Sequence, residues 1–286
     1  MDGWGSLIWV FFILLAAWPF LQQQALVRAR ARMLRLIERR RGTRVITLIH
    51  RQEGASLLGL RLVRYIDIED SELVLAAIRT TPPEMPIDMI LHTPGGLVLA
   101  AEQIAHALNA HPARVTVFVP HYAMSGGTLI ALAADEIIMD AHAALGPVDP
   151  QVGQYPAASV LAALAVPNPN RDDETLVLGD ISRKAIEQVR EAIRELLVDS
   201  MAPEQAERLA TLLSEGRWTH DYPILPRAAR EMGLPVTVGL PQEVYDLMAL
   251  YPQAAYRRPS VEFVPVERPA HPAQPPRGGR RPSARQ

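Results

Sequence analysis

Ser125 is the residue of this chain best placed for nucleophilic chemistry. It stands in His121-Tyr122-Ala123-Met124-Ser125-Gly126-Gly127-Thr128, where an apolar run ending at Val119 gives way to small residues. A serine on a sharp strand-to-helix turn presents its hydroxyl, and the glycine behind it lets the next backbone N–H turn toward a ligand. A second turn of this kind, Leu91-His92-Thr93-Pro94-Gly95-Gly96, lies upstream. The N–H groups of Gly96 and Gly126, with Gly95 as the residue that makes the turn, can hold the charge that develops on a carbonyl under attack. A nucleophile beside an anion hole is equipment for acyl transfer. Taken alone, Ser125-Gly126-Gly127 reads equally well as a tightly packed helix cap.

Such a serine needs a base. Of 29 basic residues, Lys184 is the only lysine. Arginine keeps its proton near neutral pH, whereas a desolvated lysine can release it. The helix predicted around it carries an apolar stripe through Ile186, Val189, Ile193 and Leu196. At roughly 100° per residue Lys184 falls nearly opposite that stripe. It can serve only if this face lines a cleft or meets another subunit. Histidines remain as alternatives: His142, His220 with its neighbour Asp221, His92 and His121. Asp149, between two prolines, reads as a turn carboxylate. His121, Tyr122 and Met124 are expected to line the substrate site. No spacing of potential ligands points to a metal, and there is no cysteine. Neither a Gly-x-Gly-x-x-Gly nor a Gly-x-x-x-x-Gly-Lys pattern occurs, so no nucleotide cofactor is expected.

The elements that must position these residues follow an α/β pattern. Strands are predicted at 45–50, 86–91, 115–119 and 136–139. Helices are predicted at 72–80, capped by Asp70 or Ser71, at 97–109 and at 128–134. Strand–helix alternation at these spacings means parallel pairing through crossovers, with sites at the carboxyl ends of strands. Both glycine turns fall there. Beyond Gly146-Pro147-Val148-Asp149-Pro150 the chain turns mainly helical, with long helices at 174–200 and 203–215. Trp218-Thr219-His220-Asp221-Tyr222-Pro223 forms a loop, and 236–238 forms a last strand before a helix at 241–250.

The N-terminus is different. Leu7 to Leu21 carries no charge, and with Trp4, Gly5 and Ser6 it is long enough for a spanning helix of about 20 residues. Its n-region has no arginine or lysine, and the surroundings of Pro19 make a poor cleavage site, so a signal peptide is disfavoured. Arg28, Arg30, Arg32, Arg35, Arg39, Arg40, Arg41 and Arg44 follow, which places this side in the cytoplasm and favours an anionic leaflet over nucleic acid. The expected organisation is an anchor at 1–24, a basic juxtamembrane helix at 25–43, a catalytic domain at 44–252 and a disordered Pro/Arg-rich tail at 253–286. A net charge of −2 gives no general attraction to nucleic acid.

The two glycine turns, followed by Ala134-Asp135-Glu136-Ile137-Ile138-Met139 and Leu145-Gly146-Pro147, resemble the Clp protease/crotonase superfamily. More closely, the chain resembles the serine dehydrogenase proteinase family, a membrane-associated relative of signal peptide peptidase A. The resemblance runs from about residue 44 to about residue 252 and includes Trp218-Thr219-His220-Asp221-Tyr222-Pro223-Ile224. It implies a spiral of ββα units, Ser125 at a helix start, an oxyanion hole at Gly95, Gly96 and Gly126, and assembly into homo-oligomers. The Clp histidine has no counterpart near Gly146-Pro147-Val148, whereas signal peptide peptidase A uses a later lysine, which points to Lys184. The expected activity is a membrane-anchored serine endopeptidase, single-pass in the cell membrane, acting on membrane-associated polypeptides without a cofactor. The alternatives are a crotonase-like acyl-CoA enzyme and a non-catalytic membrane scaffold.

Overall fold

A computed structural model describes residues 3–51 and 64–251, with side chains described from Ala17 onward except Pro19. In chain order the elements begin with α1 (Gly3–Arg41), β1 (Arg44–Ile49), α2 (Ile68–Arg79), β2 (Ile87–His92) and α3 (Val98–Asn109). Next come β3 (Val115–Val119), β4 (Tyr122–Ala123), α4 (Gly126–Leu132), β5 (Glu136–Met139) and β6 (Ala144–Leu145). Then follow β7 (Gln151–Val152), β8 (Tyr155–Pro156), α5 (Ala157–Ala165), α6 (Asp173–Leu197) and α7 (Pro203–Ser214). The described chain closes with α8 (Pro226–Glu231), β9 (Val236–Val238) and α9 (Gln242–Ala249).

The main sheet has the order β1-β2-β3-β5-β9, and all its neighbours are parallel. This is the expected α/β architecture of ββα units. Both faces of the sheet are covered, which explains why its strands read as unbroken apolar runs. One face carries Leu48, Met89, Leu91, Val117 and Met139 against α3, α4 and α6. The other carries Val45, Ile90, Phe118 and Ile138 against Ile37 of α1 and Val244, Leu247 and Met248 of α9. β4 and β6 form a second parallel pair, stepped off the carboxyl end of β3. This step turns the chain toward Ser125.

α2 starts earlier than the sequence predicts. Asp67, not Asp70 or Ser71, is its cap. Its carboxylate accepts the Asp70 N–H (3.0 Å), and Asp70 accepts the Asp67 N–H in return (3.1 Å), a capping box with aspartate at both ends.

α1 runs unbroken for 39 residues, so the predicted anchor and juxtamembrane segments share one helix. The predicted apolar span lies mostly on residues whose side chains are outside the described set. Among the described residues, no helix is long and apolar enough to cross a membrane. The last turns of α1 dock on the domain. Arg41 and Thr43 bind the buried Asp88 carboxylate, Arg40 pairs with Glu243, and the Arg30 guanidinium lies 4.1 Å over the Tyr251 ring. The eight arginines are therefore not one basic surface. Arg30, Arg40, Arg41 and Arg44 bind groups of the protein, whereas Arg28, Arg32, Arg35 and Arg39 are exposed. The latter recur at i, i+4, i+7 and i+11, which aligns them in one stripe on the side of the helix away from the domain. The tail at 253–286 lies outside the described residues.

Candidate active site

Ser125 joins β4 to α4 with φ 52° and ψ −118°. It is the only non-glycine at positive φ among the described residues. Such a conformation costs about 1–3 kcal/mol and persists where surrounding contacts impose it. The contacts are visible: Met124 N–H bonds to Thr93 O (3.0 Å), and Gly127 N–H bonds to Met124 O (2.8 Å). The hydroxyl does not cap α4. It is half-exposed at a cavity of about 440 Å³.

The Gly95-Gly96 turn lies against this serine. Gly95 has φ +105°, and a Cβ there would lie 2.7 Å from Ser125 Cβ. Ile66 bonds to both neighbours of Gly96, donating to Gly95 O (2.8 Å) and accepting from Leu97 N–H (2.8 Å). In a parallel bridge the residue between such bonds directs its own N–H the other way. The Gly96 N–H thus faces away from Ile66, and its nitrogen is 3.7 Å from where a Cβ of Gly126 would stand. The Gly126 N–H, in the first position of α4, has no acceptor within its helix. Among the described residues neither N–H has a hydrogen-bond acceptor, and two such donors beside a strained serine can hold an oxyanion.

The same cavity brings in two residues that the sequence did not pair. His220 Nδ1 and Asp149 Oδ1 are 2.8 Å apart and line the cavity with Ser125. Asp149 is 3% exposed. Gln151 Nε2 donates to its second oxygen, Oδ2, at 2.8 Å. A carboxylate can only accept, so His220 carries its proton on Nδ1 and offers the Nε2 lone pair. The hydrogen bond to Asp149 raises the pKa of His220 above its ordinary 6.5, against the opposing effect of burial. Backbone pairing holds both residues. Ile224 and Leu145 exchange two N–H···O bonds (2.8 and 3.0 Å), which fixes the loop carrying His220 on β6. The rings of Trp218 and Tyr222 stack within that loop at 5.1 Å. Thr128 Oγ1 accepts the Gly146 N–H (2.9 Å) and donates to Ala123 O (2.8 Å), tying α4 to the segment that leads to Asp149.

Lys184 is elsewhere. Its side chain is 66% exposed and its ammonium pairs with Asp180 one turn back on α6. Within one chain it does not line the Ser125 cavity, whereas Val189 of the same helix does. The apolar stripe of α6 is the reason: Val189, Ile193 and Leu196 are buried, and Lys184 points away from them. Met124 lines the Ser125 cavity. His121 and Tyr122 do not; they pack on His92, with ring centroids at 5.4 and 4.3 Å. The chain steps into β4 at this point, so the residues flanking the step face the α1/α9 side. His142 is exposed beside Asp140. Among the described residues no group of three or more His, Asp or Glu could hold a metal.

His92 carries a prediction of its own. It is 3% exposed, and burial, followed by the positive charge of Arg51, lowers its pKa to about 4. The folded value lies below the unfolded one, so as pH falls the unfolded chain takes up this proton first. The contribution is complete above neutrality, is lost as pH drops through the window from 6.5 to about 4, and amounts to a loss of about 2.5 kcal/mol by about pH 4.5. Urea unfolding near pH 7.5 and near pH 4.5 measures it. His92→Gln should lose about that much less on acidification than the natural chain; equal losses would refute the assignment.

The sequence is similar to those of known proteins. The family described as ClpP-like SDH-type serine proteinase matches residues 1–276. Two uncharacterized proteins of Methanocaldococcus jannaschii are close relatives. One is 55% identical over 263 residues, covering 91% of this chain and 92% of the relative. The other is 52% identical over 266 residues, covering 93% and 91%.

Proposed function

Because the chain belongs to the ClpP-like SDH-type serine proteinase family, we propose that it is a serine endopeptidase whose nucleophile is Ser125 and whose base is His220, oriented by Asp149. The observation that carries this reading is the shared cavity: a serine in a strained turn, two free backbone donors, and a histidine whose Nδ1 is held by a buried carboxylate. Lys184 is the base only if a second subunit brings it to the cavity. The His220–Asp149 pair needs no such partner.

In this mechanism Ser125 Oγ attacks the scissile carbonyl while His220 Nε2 takes the hydroxyl proton. The N–H groups of Gly96 and Gly126 hold the tetrahedral oxyanion. Collapse breaks the C–N bond, and His220 returns its proton to the leaving amine. A water, deprotonated by the same ring, then attacks the acyl-serine, and the second collapse restores Ser125 and releases a carboxylate. Asp149 stays ionised throughout, stabilising the imidazolium.

A fluorophosphonate probe tests the nucleophile. It should label the natural chain on a peptide containing Ser125 and leave Ser125→Ala unlabelled. Labelling that survives the substitution would end the reading, and a crotonase-like hydratase or a scaffold would not be labelled at all.

Membrane attachment and self-association belong to the same proposal. Membrane attachment is supported by the unbroken α1, by Trp18, Phe20 and Leu21 exposed on it, and by the outward stripe of Arg28, Arg32, Arg35 and Arg39; self-association is what the family resemblance implies. An apolar span followed by this stripe fits a single-pass anchor with the domain on the cytoplasmic, anionic side. Substrates would then be membrane-associated polypeptides. Flotation of the full chain with liposomes, and light-scattering mass in detergent, check the two points. A monomer that stays in the aqueous fraction would overturn both.

A further inference from the structure

We infer that Asp70, His50 and Thr93 form a buried positioning chain that sets the Gly95-Gly96 turn and registers it against the Ser125 turn. The inference rests on the proposed serine chemistry and adds residues that touch neither the cavity nor a substrate. His50 lies just past β1, is 5% exposed, and has both ring nitrogens engaged. Nε2 is 3.1 Å from Asp70 Oδ2, and Nδ1 is 2.9 Å from Thr93 Oγ1. Thr93 Oγ1 in turn accepts the Gly95 N–H at 3.2 Å.

Proton bookkeeping gives this chain a direction. The Asp70 carboxylate has no proton to give, so Nε2 carries the hydrogen of the ring. Nδ1 is then an acceptor, and the Thr93 hydroxyl donates to it. With its proton committed, Thr93 Oγ1 presents lone pairs to the Gly95 N–H. Burial keeps His50 predominantly neutral, lowering its pKa against the raising influence of Asp70. Turning the same hydroxyl hydrogen toward Gly95 O, at 3.4 Å from Thr93 Oγ1, would abandon Nδ1.

Thr93 is also where the two turns meet. Its N–H donates to Tyr122 O (3.2 Å), and its carbonyl accepts from Met124 (3.0 Å). Its methyl fills the space in front of Gly127, where a Cβ would come within 2.6 Å of Thr93 Cγ2. One residue therefore holds Gly95 through its hydroxyl, the strand entering Ser125 through its backbone, and α4 through its methyl. The Gly96 donor follows directly on the turn fixed by the hydroxyl. A displacement of about 1 Å in such a donor can cost on the order of 100-fold in rate.

Three variants of the full chain test this. Thr93→Val keeps shape and methyl but removes the hydroxyl, Thr93→Ser keeps the hydroxyl, and Asp70→Asn leaves Thr93 intact while replacing the acceptor-only carboxylate with an amide that can also donate, so the ring proton is no longer fixed on Nε2. The readouts are the rate of fluorophosphonate labelling at Ser125, peptide kcat and KM, and hydrogen exchange of the Gly95 amide. Thr93→Val should label about 10- to 100-fold more slowly, with kcat lowered, KM unchanged and Gly95 exchanging faster. Thr93→Ser should recover most of the rate, and Asp70→Asn should slow labelling in the same direction. Natural-rate labelling by Thr93→Val and Asp70→Asn would overturn the proposal. If the natural chain itself is unlabelled, the serine reading falls instead. Gly95 protection that is unchanged in Thr93→Val would then still refute the positioning chain.

Discussion

His220→Ala is expected to lower kcat/KM by about 10³-fold or more while the protein stays folded. The ring is half-exposed on a surface loop, so its removal opens no core cavity, and the loss would be chemical. What disappears is the group that, in the proposed mechanism, takes the Ser125 proton and returns it to the leaving amine. Asp149→Asn should cost a comparable factor, because an amide in place of the carboxylate destroys the preference for Nδ1–H and lets the ring carry its proton on Nε2, where a general base needs a lone pair. The pH profile separates orientation from bulk. Asp149 holds the His220 pKa above 6.5, and a base works only when neutral. In the natural chain kcat/KM should therefore climb with pH through a midpoint above 6.5. Asp149→Asn should move that midpoint down as well as lowering the plateau. Lys184→Arg is the companion measurement. An exposed ammonium paired with Asp180 can be replaced without touching the cavity, so the rate should be unchanged. A collapse of activity in Lys184→Arg, with His220→Ala fully active, would transfer the base to a lysine supplied across subunits.

Gly96→Ala is expected to lower kcat by more than about 100-fold and to destabilise the fold. Here the cause is contact, not conformational freedom. A Cβ at this position would lie 2.2 Å from Ile66 O, 2.3 Å from Ile66 N and 2.7 Å from Ile66 Cα, all of them backbone. No side chain can rotate aside. The bridge between Ile66 and Gly95-Gly96-Leu97 must open, and the Gly96 N–H leaves its place beside Gly126. Fluorophosphonate labelling and thermal unfolding of the same sample measure the two effects. Labelling at the natural rate would mean that Gly96 supplies no oxyanion donor.

The turn that carries Ser125, the proposed nucleophile, was legible in the sequence because both faces of the main sheet are buried. Strands of that kind are uninterrupted apolar runs, so the break from Val119 to the small residues after Met124 marks the strand end. The amphipathic stripe of α6 was equally legible, and it already placed Lys184 on the outer side. The base was not. His220 and Asp149 are separated by 71 positions and meet only because Ile224 pairs with Leu145. β4, β6, β7 and β8 are two-residue strands, too short to show a periodicity. The sequence does carry Gly146-Pro147-Val148-Asp149-Pro150 and Trp218-Thr219-His220-Asp221 as distinct motifs, but Asp221 can orient its neighbour only weakly, and Asp149 between two prolines reads as a turn carboxylate. His121 and Tyr122, expected to line the substrate site, lie outside the Ser125 cavity for a related reason: a side chain's facing changes where the chain steps from one sheet to the next.

α1 fixes a phase as well as a distance. Its 39 residues span about 58 Å at a rise of roughly 1.5 Å each, and the last turns are clamped to the domain by Arg30, Arg40 and Arg41. Such a helix acts as a keyed shaft. Two residues inserted near Gln23 would lift the far end by only about 3 Å but turn it through roughly 200°. Seven would lift it by about 10 Å and return it to within about 20° of its starting orientation. A cleft that reads a substrate held at the other end of the shaft would be blinded by the smaller insertion and spared by the larger one.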